Sequence, residues 1–188
     1  EKTFSEKDKK DIIIKLAKSK NEISISSLAE KNAKQSLKQK LIQSDTNNNL
    51  IEELASKFNI NNNIELIEVY DNSHIQGTDS VGSLICFGNE GFVKKRYRKF
   101  NIKDEKVKND DYGMMKEVLF RRFSKAIKEK SGSLSLPDLI MIDGGKGQYS
   151  VSREVLNELG LHDLPILAVA KGKRRNAGEE KIYYKSNE

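Results

Sequence analysis

The sequence of 188 residues contains one cysteine, two histidines and no hydrophobic run long enough to cross a bilayer. A single cysteine excludes a disulfide within the chain and a metal site built from several cysteines, and the apolar stretch SLICF around Cys86 indicates a buried core residue. Nothing in the sequence resembles a nucleophilic triad. The amino end shows no secretory signal, so we expect a cytoplasmic protein without a membrane partner.

Basic residues outnumber acidic ones, 34 against 28, which gives a net charge of +6 and an isoelectric point near 9.2. This balance favours a polyanionic partner. Two clusters carry much of the excess: eight lysines and arginines against three acids between Glu90 and Lys108, and the run KGKRR at 171–175. Aromatic residues alternate with the cations in KKRYRKF, which suits contact with a phosphate backbone. Either cluster taken alone could equally be a solvated face.

The first 60 residues predict a helical segment, and residues 61–188 predict a separate α/β domain. Within the first part, apolar residues recur at helical spacing around Ile12 and in a narrow stripe formed by Ala29, Ala33, Leu37 and Leu41. The stretch DTNNNLIEELASKF predicts the start of a further helix with an asparagine cap. The polar run NINNN then predicts a linker.

From Ile64 onward the pattern predicts a mixed sheet flanked by helices. The predicted elements are strands at 64–70, 80–87 and 91–102, a helix from Asp110 or Asp111 to Lys128, a strand at 139–142, a helix at 150–159, a strand in PILAVA and a short strand in EKIYY. The turn GNEG and the short loops predict an antiparallel meander for the first three strands. The wholly apolar runs LIMI and PILAVA predict parallel strands joined by crossover helices.

Two aspartates occupy equivalent places in this pattern. Asp71 follows the first strand, in YDNSHIQG, and Asp143 follows the apolar run LIMI. Because sites in open α/β sheets lie outside the carboxyl ends of the strands, the two carboxylates converge if their strands are neighbours. Close carboxylates repel each other, so this arrangement favours a divalent cation between them, and oxygen ligands suit Mg²⁺ or Mn²⁺. The alternative is that each aspartate caps its own loop.

The segment DGGKGQ, residues 143–148, places glycines before a helix, where backbone N–H groups can face an anion. It lacks the spacing and the Ser or Thr of a P-loop, so we expect no nucleotide cofactor. Lys146 could contact a backbone phosphate or be a solvated turn residue. His74 could be a base or a ligand, but a histidine beside a serine in a turn more often holds the loop by a hydrogen bond. The pattern around His162 predicts that it is a loop residue without a partner.

Five segments in order resemble the carboxy-terminal endonuclease domain of UvrC, the incision subunit of bacterial nucleotide excision repair: IEVYDNSHIQGTDSVGS, KKRYRKFNI, DDYGMMKEVLFRR, LPDLIMIDGGKGQ and AKGKRRNAGEE. The helical part, with LAEKNAKQSLKQK, resembles the segment that precedes that domain. The resemblance implies an RNase H-like fold and metal-dependent hydrolysis of a phosphodiester on the 5′ side of damaged DNA. It also implies that Asp71 and Asp143 are catalytic, with Asp111 as another functionally important acid.

The partners implied by the resemblance are damaged double-stranded DNA and a DNA-bound UvrB complex. Contacts with the DNA backbone are expected from six basic residues, Lys146, Lys171, Arg174, Arg175, Arg96 and Arg98. Two features depart from the family pattern. Asn72 stands where the family usually has isoleucine, and the family's third catalytic residue, a histidine in a later segment, has no counterpart, so we expect a domain that is incomplete at its carboxyl end.

Two alternatives remain open at this point. The chain could be an RNase H-like DNA-binding module that is inactive in this form, because the histidine is missing. It could also be a small-molecule phosphate enzyme that uses GGKGQ, in which case nucleotide binding should survive high salt better than DNA binding does.

Overall fold

The computed structural model describes residues 15–60, 63–75, 79–104, 107, 110–128, 135–172 and 180–185. The described helices and strands are α1 (Lys20–Lys57), β1 (Leu66–Ile75), β2 (Asp79–Gly88), β3 (Gly91–Phe92), β4 (Arg98–Asn101), α2 (Asp111–Lys128), β5 (Leu139–Asp143), α3 (Lys146–Glu158), β6 (Ile166–Ala170) and β7 (Lys181–Tyr183). The chain divides into two compact units between Ile42 and Gln43. In these described ranges, no helix has the length and apolar character that crossing a membrane requires.

The unit before Gln43 contains the beginning of α1, which starts with a capping box. The Ser19 hydroxyl accepts a hydrogen bond from the Glu22 N–H at 3.2 Å, and the Glu22 carboxylate accepts one from the Ser19 N–H at 3.0 Å. The Lys15 ammonium, 2.8 Å from that carboxylate, and the neighbouring N–H groups lower the pKa of Glu22 to about 2. The predicted apolar stripe is solvent-exposed at Leu37 and Leu41.

The unit after Ile42 is built on one mixed sheet, with the strand order β3-β2-β1-β5-β6-β7 and with β4 also paired to β2. The β1–β2, β2–β3, β2–β4 and β6–β7 pairs are antiparallel, whereas the β1–β5 and β5–β6 pairs are parallel. The predicted fold class, a mixed α/β sheet of the RNase H-like kind, is therefore confirmed. The short meander strands and the crossover helices α2 and α3 produce this order.

The larger hydrophobic core lies between the sheet and helices α2 and α3. Five apolar residues on one side of α2 are all buried: Met114, Met115, Val118, Leu119 and Phe123. They pack on alternate residues of the strands, which include Tyr70, Leu84, Cys86, Ile140 and Ile142. Cys86 is a free, buried thiol, as its apolar surroundings predict, and burial raises its pKa to about 11.

The smaller core covers the opposite face of the sheet near the amino ends of the parallel strands. It contains Ile51 from the end of α1, Ile60 and Ile64 from the connection, and Ile67, Leu139 and Leu167 from three adjacent strands. Because successive side chains of a strand point to opposite faces, the odd-numbered residues of β1 and β5 belong to this face. The cover does not extend to Asp71 and Ser83, which lie farther along the strands on the same face and are exposed.

The predicted helix start at DTNNN is wrong, because α1 continues through these residues without a break. Asn47 does not cap a helix. Its side chain is buried and its amide donates a hydrogen bond to the carbonyl of Asn89, in the β2–β3 turn, at 3.3 Å. A tertiary contact thus satisfies the polar side chain that a capping interaction would otherwise use.

Three other element boundaries differ from the prediction. The first strand does not end at Tyr70 but continues to Ile75, because Asp71–Ile75 pairs with β2 down to Asp79. The predicted third strand, 91–102, is divided into β3 and β4 by a 3-10 turn at Lys94–Arg96. The helix predicted to begin at Ser150 begins at Lys146, where the Gln148 side chain accepts a hydrogen bond from the Gly145 N–H at 3.0 Å.

Candidate active site

The two predicted aspartates lie side by side on adjacent parallel strands. The β1–β5 register pairs Ile67 with Leu139 and reaches Tyr70 opposite Ile142. One residue further along, Asp71 is level with Asp143, and both side chains lie on the sheet face that bears the smaller core. Asp143 ends β5, but Asp71 lies inside β1, so the alternative that Asp71 caps a loop is wrong.

The register that aligns the carboxylates is held at the opposite end of the strands by Asp138. Its Oδ2 accepts hydrogen bonds from the N–H groups of Glu65 at 3.0 Å and Leu66 at 2.9 Å, and its own N–H donates to the Leu66 carbonyl at 2.9 Å. A slip of one residue would move Asp71 and Asp143 to opposite faces of the sheet. Asp138 therefore contributes to the site from a distance by fixing the strand alignment.

The electrostatics of the site show that the two carboxylates interact. Partial burial, followed by the negative charge of Asp143, raises the pKa of Asp71 above its ordinary value of 3.8, while the Lys171 ammonium opposes this shift. Lys171 Nζ lies 2.9 Å from Asp143 Oδ2, in an ion pair whose side chains are 65% and 36% exposed. The site thus keeps two acids together at the expense of some repulsion, with one lysine as partial compensation.

The carboxylate pair fits a hard divalent cation. Mg²⁺ is typically held by one or two protein carboxylates and completes its coordination with water and substrate phosphates. One of the two carboxylates, Asp143, already has a cationic partner in the Lys171 ammonium. Within the described ranges no group of three or more His, Cys, Asp or Glu side chains is arranged to hold a metal ion.

Asp111 is not part of the pair but lies at the same edge of the sheet. It is the first residue of α2, on the other face, and its backbone carbonyl accepts a hydrogen bond from the Asn72 amide at 3.2 Å. Asn72, which departs from the family pattern and directly follows Asp71, therefore ties the start of α2 to β1. Lys146 is exposed at the start of α3, three residues after Asp143.

The two predicted DNA-binding arginines of the first basic cluster are directed away from the carboxylates. Arg98 pairs across strands with the buried Leu84, so it belongs to the α2 face, and its guanidinium donates to the Lys95 and Tyr97 carbonyls. Arg96 donates to the carbonyl and hydroxyl of Ser135 at 3.2 and 3.0 Å. Arg174 and Arg175 lie outside the described residues.

The two histidines lie in different parts of the described structure. The backbone of His74 belongs to β1, opposite Ser80, rather than to the predicted loop. His162 does lie in a loop, but it has a partner: its Nδ1 is 3.3 Å from the Asn157 Oδ1 at the carboxyl end of α3.

A buried ion pair under the site was not predicted. Glu68 and Arg122 are 1% and 5% exposed, and Arg122 Nη2 lies 2.6 Å from Glu68 Oε1. The Tyr70 hydroxyl donates to the other oxygen of Glu68 at 2.6 Å. One signal was present in the sequence: Glu68 stands between apolar residues in a strand that must be buried, so its charge required a partner.

Comparison with known proteins shows similarity to one family. Residues 55–188 match the family described as "UvrC RNAse H endonuclease domain". The chain is 49% identical to UvrABC system protein C of Cereibacter sphaeroides over 158 residues and 50% identical to that of Hyphomonas neptunium over 160 residues, with 82% of the chain covered in both cases. For the corresponding protein of a Ruegeria species the identity is 44% over 96% of the chain. The chain spans 25%, 26% and 29% of the length of these three relatives.

Among solved structures, the chain is similar to the catalytic domain of human Endonuclease V, with 20% identity, coverage of 57% of this chain and 45% of the other, and a TM-score of 0.37. It is also similar to the Endonuclease V of Ciona intestinalis in complex with a DNA that contains inosine, with 11% identity, coverage of 66% and 59%, and a TM-score of 0.39. Likeness at this level carries no conclusion about the activity of the chain.

Proposed function

Because the chain belongs to the family of UvrC RNase H endonuclease domains, we propose that it hydrolyses DNA phosphodiesters with a divalent metal ion, and that it makes the incision 5′ to a lesion. The observation that carries the proposal is the alignment of Asp71 with Asp143 on adjacent parallel strands. Two facing carboxylates with a raised pKa at Asp71 have little structural use, since their repulsion opposes folding, but they suit a metal ion.

Each residue of the site has a role that follows from its position. Asp71 and Asp143 would hold Mg²⁺ or Mn²⁺, which when bound supplies positive charge that offsets the charge developing on the phosphate. Lys171 orients the Asp143 carboxylate and can pass from it to a phosphate oxygen, because both are anionic acceptors at the same edge. Lys146, which is exposed at the start of α3, would contact a neighbouring phosphate. Asn72 holds the backbone at the start of α2, and Asp111 at that position would be a further acid at the same edge of the sheet.

The proposed substrate is damaged double-stranded DNA, the proposed partner is the DNA-bound UvrB complex, and the proposed location is the cytoplasm. The family membership and the name of the relatives, UvrABC system protein C, support these proposals. Contacts with phosphates carry no sequence information, so cleavage should depend little on the bases around the lesion.

The proposal is tested by incubating the chain with Mg²⁺ or Mn²⁺ and a labelled duplex that contains one lesion. Asp71→Asn should lower the cleavage rate by on the order of 10²–10³ or more, as losses of charge-stabilising groups do. Asp163→Asn, which neutralises an exposed aspartate in the α3–β6 loop, is the matched control and should leave cleavage unchanged. Calorimetric titration with Mn²⁺ should show binding that Asp71→Asn and Asp143→Asn weaken and the control does not.

Two results would count against the proposal. Cleavage that survives Asp71→Asn would show that the carboxylate pair is not the active site. Intact DNA with retained DNA binding would favour the alternative, a DNA-binding module of the same fold without activity in this form.

A further inference from the structure

A lysine outside the predicted site is aligned with the carboxylate pair. Asp71 pairs across strands with Ser83 of β2, and Ser83 pairs with Lys99 of β4. Residues that are directly opposite each other in antiparallel pairs have their side chains on the same face of the sheet. Lys99 is therefore on the face of Asp71, two strands away, at a backbone distance of about 10 Å from the strand spacing.

The neighbouring arginine of β4 provides a natural comparison. Arg98 pairs with Leu84, which is buried under α2, so Arg98 belongs to the opposite face. Its guanidinium is bonded to two backbone carbonyls, whereas the Lys99 side chain forms no hydrogen bond or ion pair with any other described residue. Lys99 is exposed. Arg98 and Lys99, which are adjacent in β4, thus lie on opposite faces of the sheet.

The sheet face around Asp71 is exposed to solvent and extends across four strands. Ser83 is exposed between Lys99 and Asp71, and its hydroxyl donates to the Asp71 carbonyl at 3.2 Å. On the far side, Lys171 lies against Asp143. The two carboxylates are therefore bracketed by two lysines along the direction perpendicular to the strands. A polyanion that approaches two carboxylates is repelled unless cations flank them, and this arrangement supplies one on each side.

We propose that the DNA backbone crosses this open face from Lys171 to Lys99, and that Lys99 binds a phosphate about 10 Å from the carboxylate pair. The inference rests on the proposed function and adds a positioning residue to it. Each strand of a duplex carries a phosphate about every 3.4 Å along the axis, so a phosphate is available at that distance. The α2 face cannot serve, because Tyr70, Leu84 and Ile142 are buried there beneath the helix.

The test compares Lys99→Ala with Arg98→Ala by fluorescence anisotropy on a labelled duplex, without divalent ions, between about 50 and 200 mM salt. Loss of one phosphate contact should make the slope of log K against log salt shallower by about 0.9 and weaken binding about eightfold near 0.1 M salt. We expect this effect for Lys99→Ala and a smaller change of slope for Arg98→Ala. Lys99→Arg keeps the charge and should restore the wild-type slope.

Equal effects of the two alanine substitutions, a larger effect of Arg98→Ala, or no salt-dependent binding by the wild type would overturn the inference. The proposed function is judged separately, from cleavage and its loss in Asp71→Asn. If the chain binds DNA through Lys99 but does not cleave it, the proposed function is wrong and the inference about this surface stands. A chain that cleaves DNA, but whose binding is changed equally by Lys99→Ala and Arg98→Ala, overturns this inference and leaves the proposed function in place.

Discussion

Replacing Arg122 with methionine should destabilise the fold more than any surface charge change. Arg122 Nη2 is bonded to Glu68 Oε1 at 2.6 Å and to the Ser135 carbonyl at 3.0 Å, in surroundings where both charged side chains are at most 5% exposed. Methionine fills a similar volume but leaves the Glu68 carboxylate with the Tyr70 hydroxyl as a remaining partner. A buried charge that has lost its counterion costs about 3–5 kcal/mol.

That loss is a large share of the roughly 5–15 kcal/mol by which a domain of this kind is stable. The adjacent Arg121 gives a matched control, because it belongs to the same helix and also pairs with a glutamate. Its pair with Glu117 is partly exposed, 35% and 16%, with the spacing of four residues for which about 0.3–0.5 kcal/mol is typical. Its hydrogen bond to the Asn101 carbonyl adds about 1 kcal/mol.

Urea denaturation followed by circular dichroism measures both free energies. We expect Arg122→Met to lose about 3–5 kcal/mol and Arg121→Met less than about 2 kcal/mol. The double variant Glu68→Gln with Arg122→Met removes both charges, keeps an acceptor oxygen for the Tyr70 hydroxyl and should recover most of the loss. Equal losses for the two single variants, or a double variant that is no more stable than Arg122→Met, would refute the assignment of Glu68 and Arg122 as a buried pair.

Two further predictions concern the site. Because folding raises the pKa of Asp71, the contribution of Asp71 to stability is greatest below the unfolded value of 3.8 and is lost as pH rises through the folded pKa. Asp71→Asn should therefore raise the melting temperature of the metal-free chain near neutral pH, and the difference between variant and wild type should narrow on acidification. A melting temperature that is lower in the variant at neutral pH would contradict this. Gly147→Ala places a β-carbon against the end of the Tyr112 ring, which is 48% exposed and can move away, so the loss from this contact should largely cancel a gain of up to about 1 kcal/mol in helix propensity. In a Tyr112→Ala background the gain should appear as a higher melting temperature. The four melting curves check this, and equal effects of Gly147→Ala in both backgrounds would exclude the contact.

The fold could be predicted from the sequence where local pattern and burial agree. LIMI and ILAVA are apolar runs with the crossover helix α3 between them, so a parallel arrangement is nearly unavoidable, and Asp143 follows as the last residue of β5. The convergence of Asp71 with Asp143 was also predictable, because it needs only that their two strands be neighbours. In the structure the two strands are neighbours, because β1 pairs directly with β5.

What could not be predicted depends on residues that are distant in sequence. Asp71 was expected beyond the end of a strand because it is followed by Asn72, Ser73 and His74, but β2 pairs with this polar run and extends β1 across it. Arg98 and Lys99 lie in one basic run, yet alternation along the strand and the burial of Leu84 place Arg98 on the α2 face. Charge density in a sequence does not reveal which face of a strand a cation occupies.

The alternation along β1 also explains how a repelling pair of acids can be held in one place. Glu68 and Tyr70 point to the α2 face, where Arg122 and the hydroxyl hydrogen bond fix them in the core, while Asp71 points to the open face. A strand that is anchored by buried charge on one side cannot rotate or slip to relieve repulsion on the other, because either movement would leave Glu68 without its partner. The buried Glu68–Arg122 pair therefore fixes the position of Asp71. In the destabilised Arg122→Met chain, we expect local unfolding to begin at the end of β1 that carries Asp71.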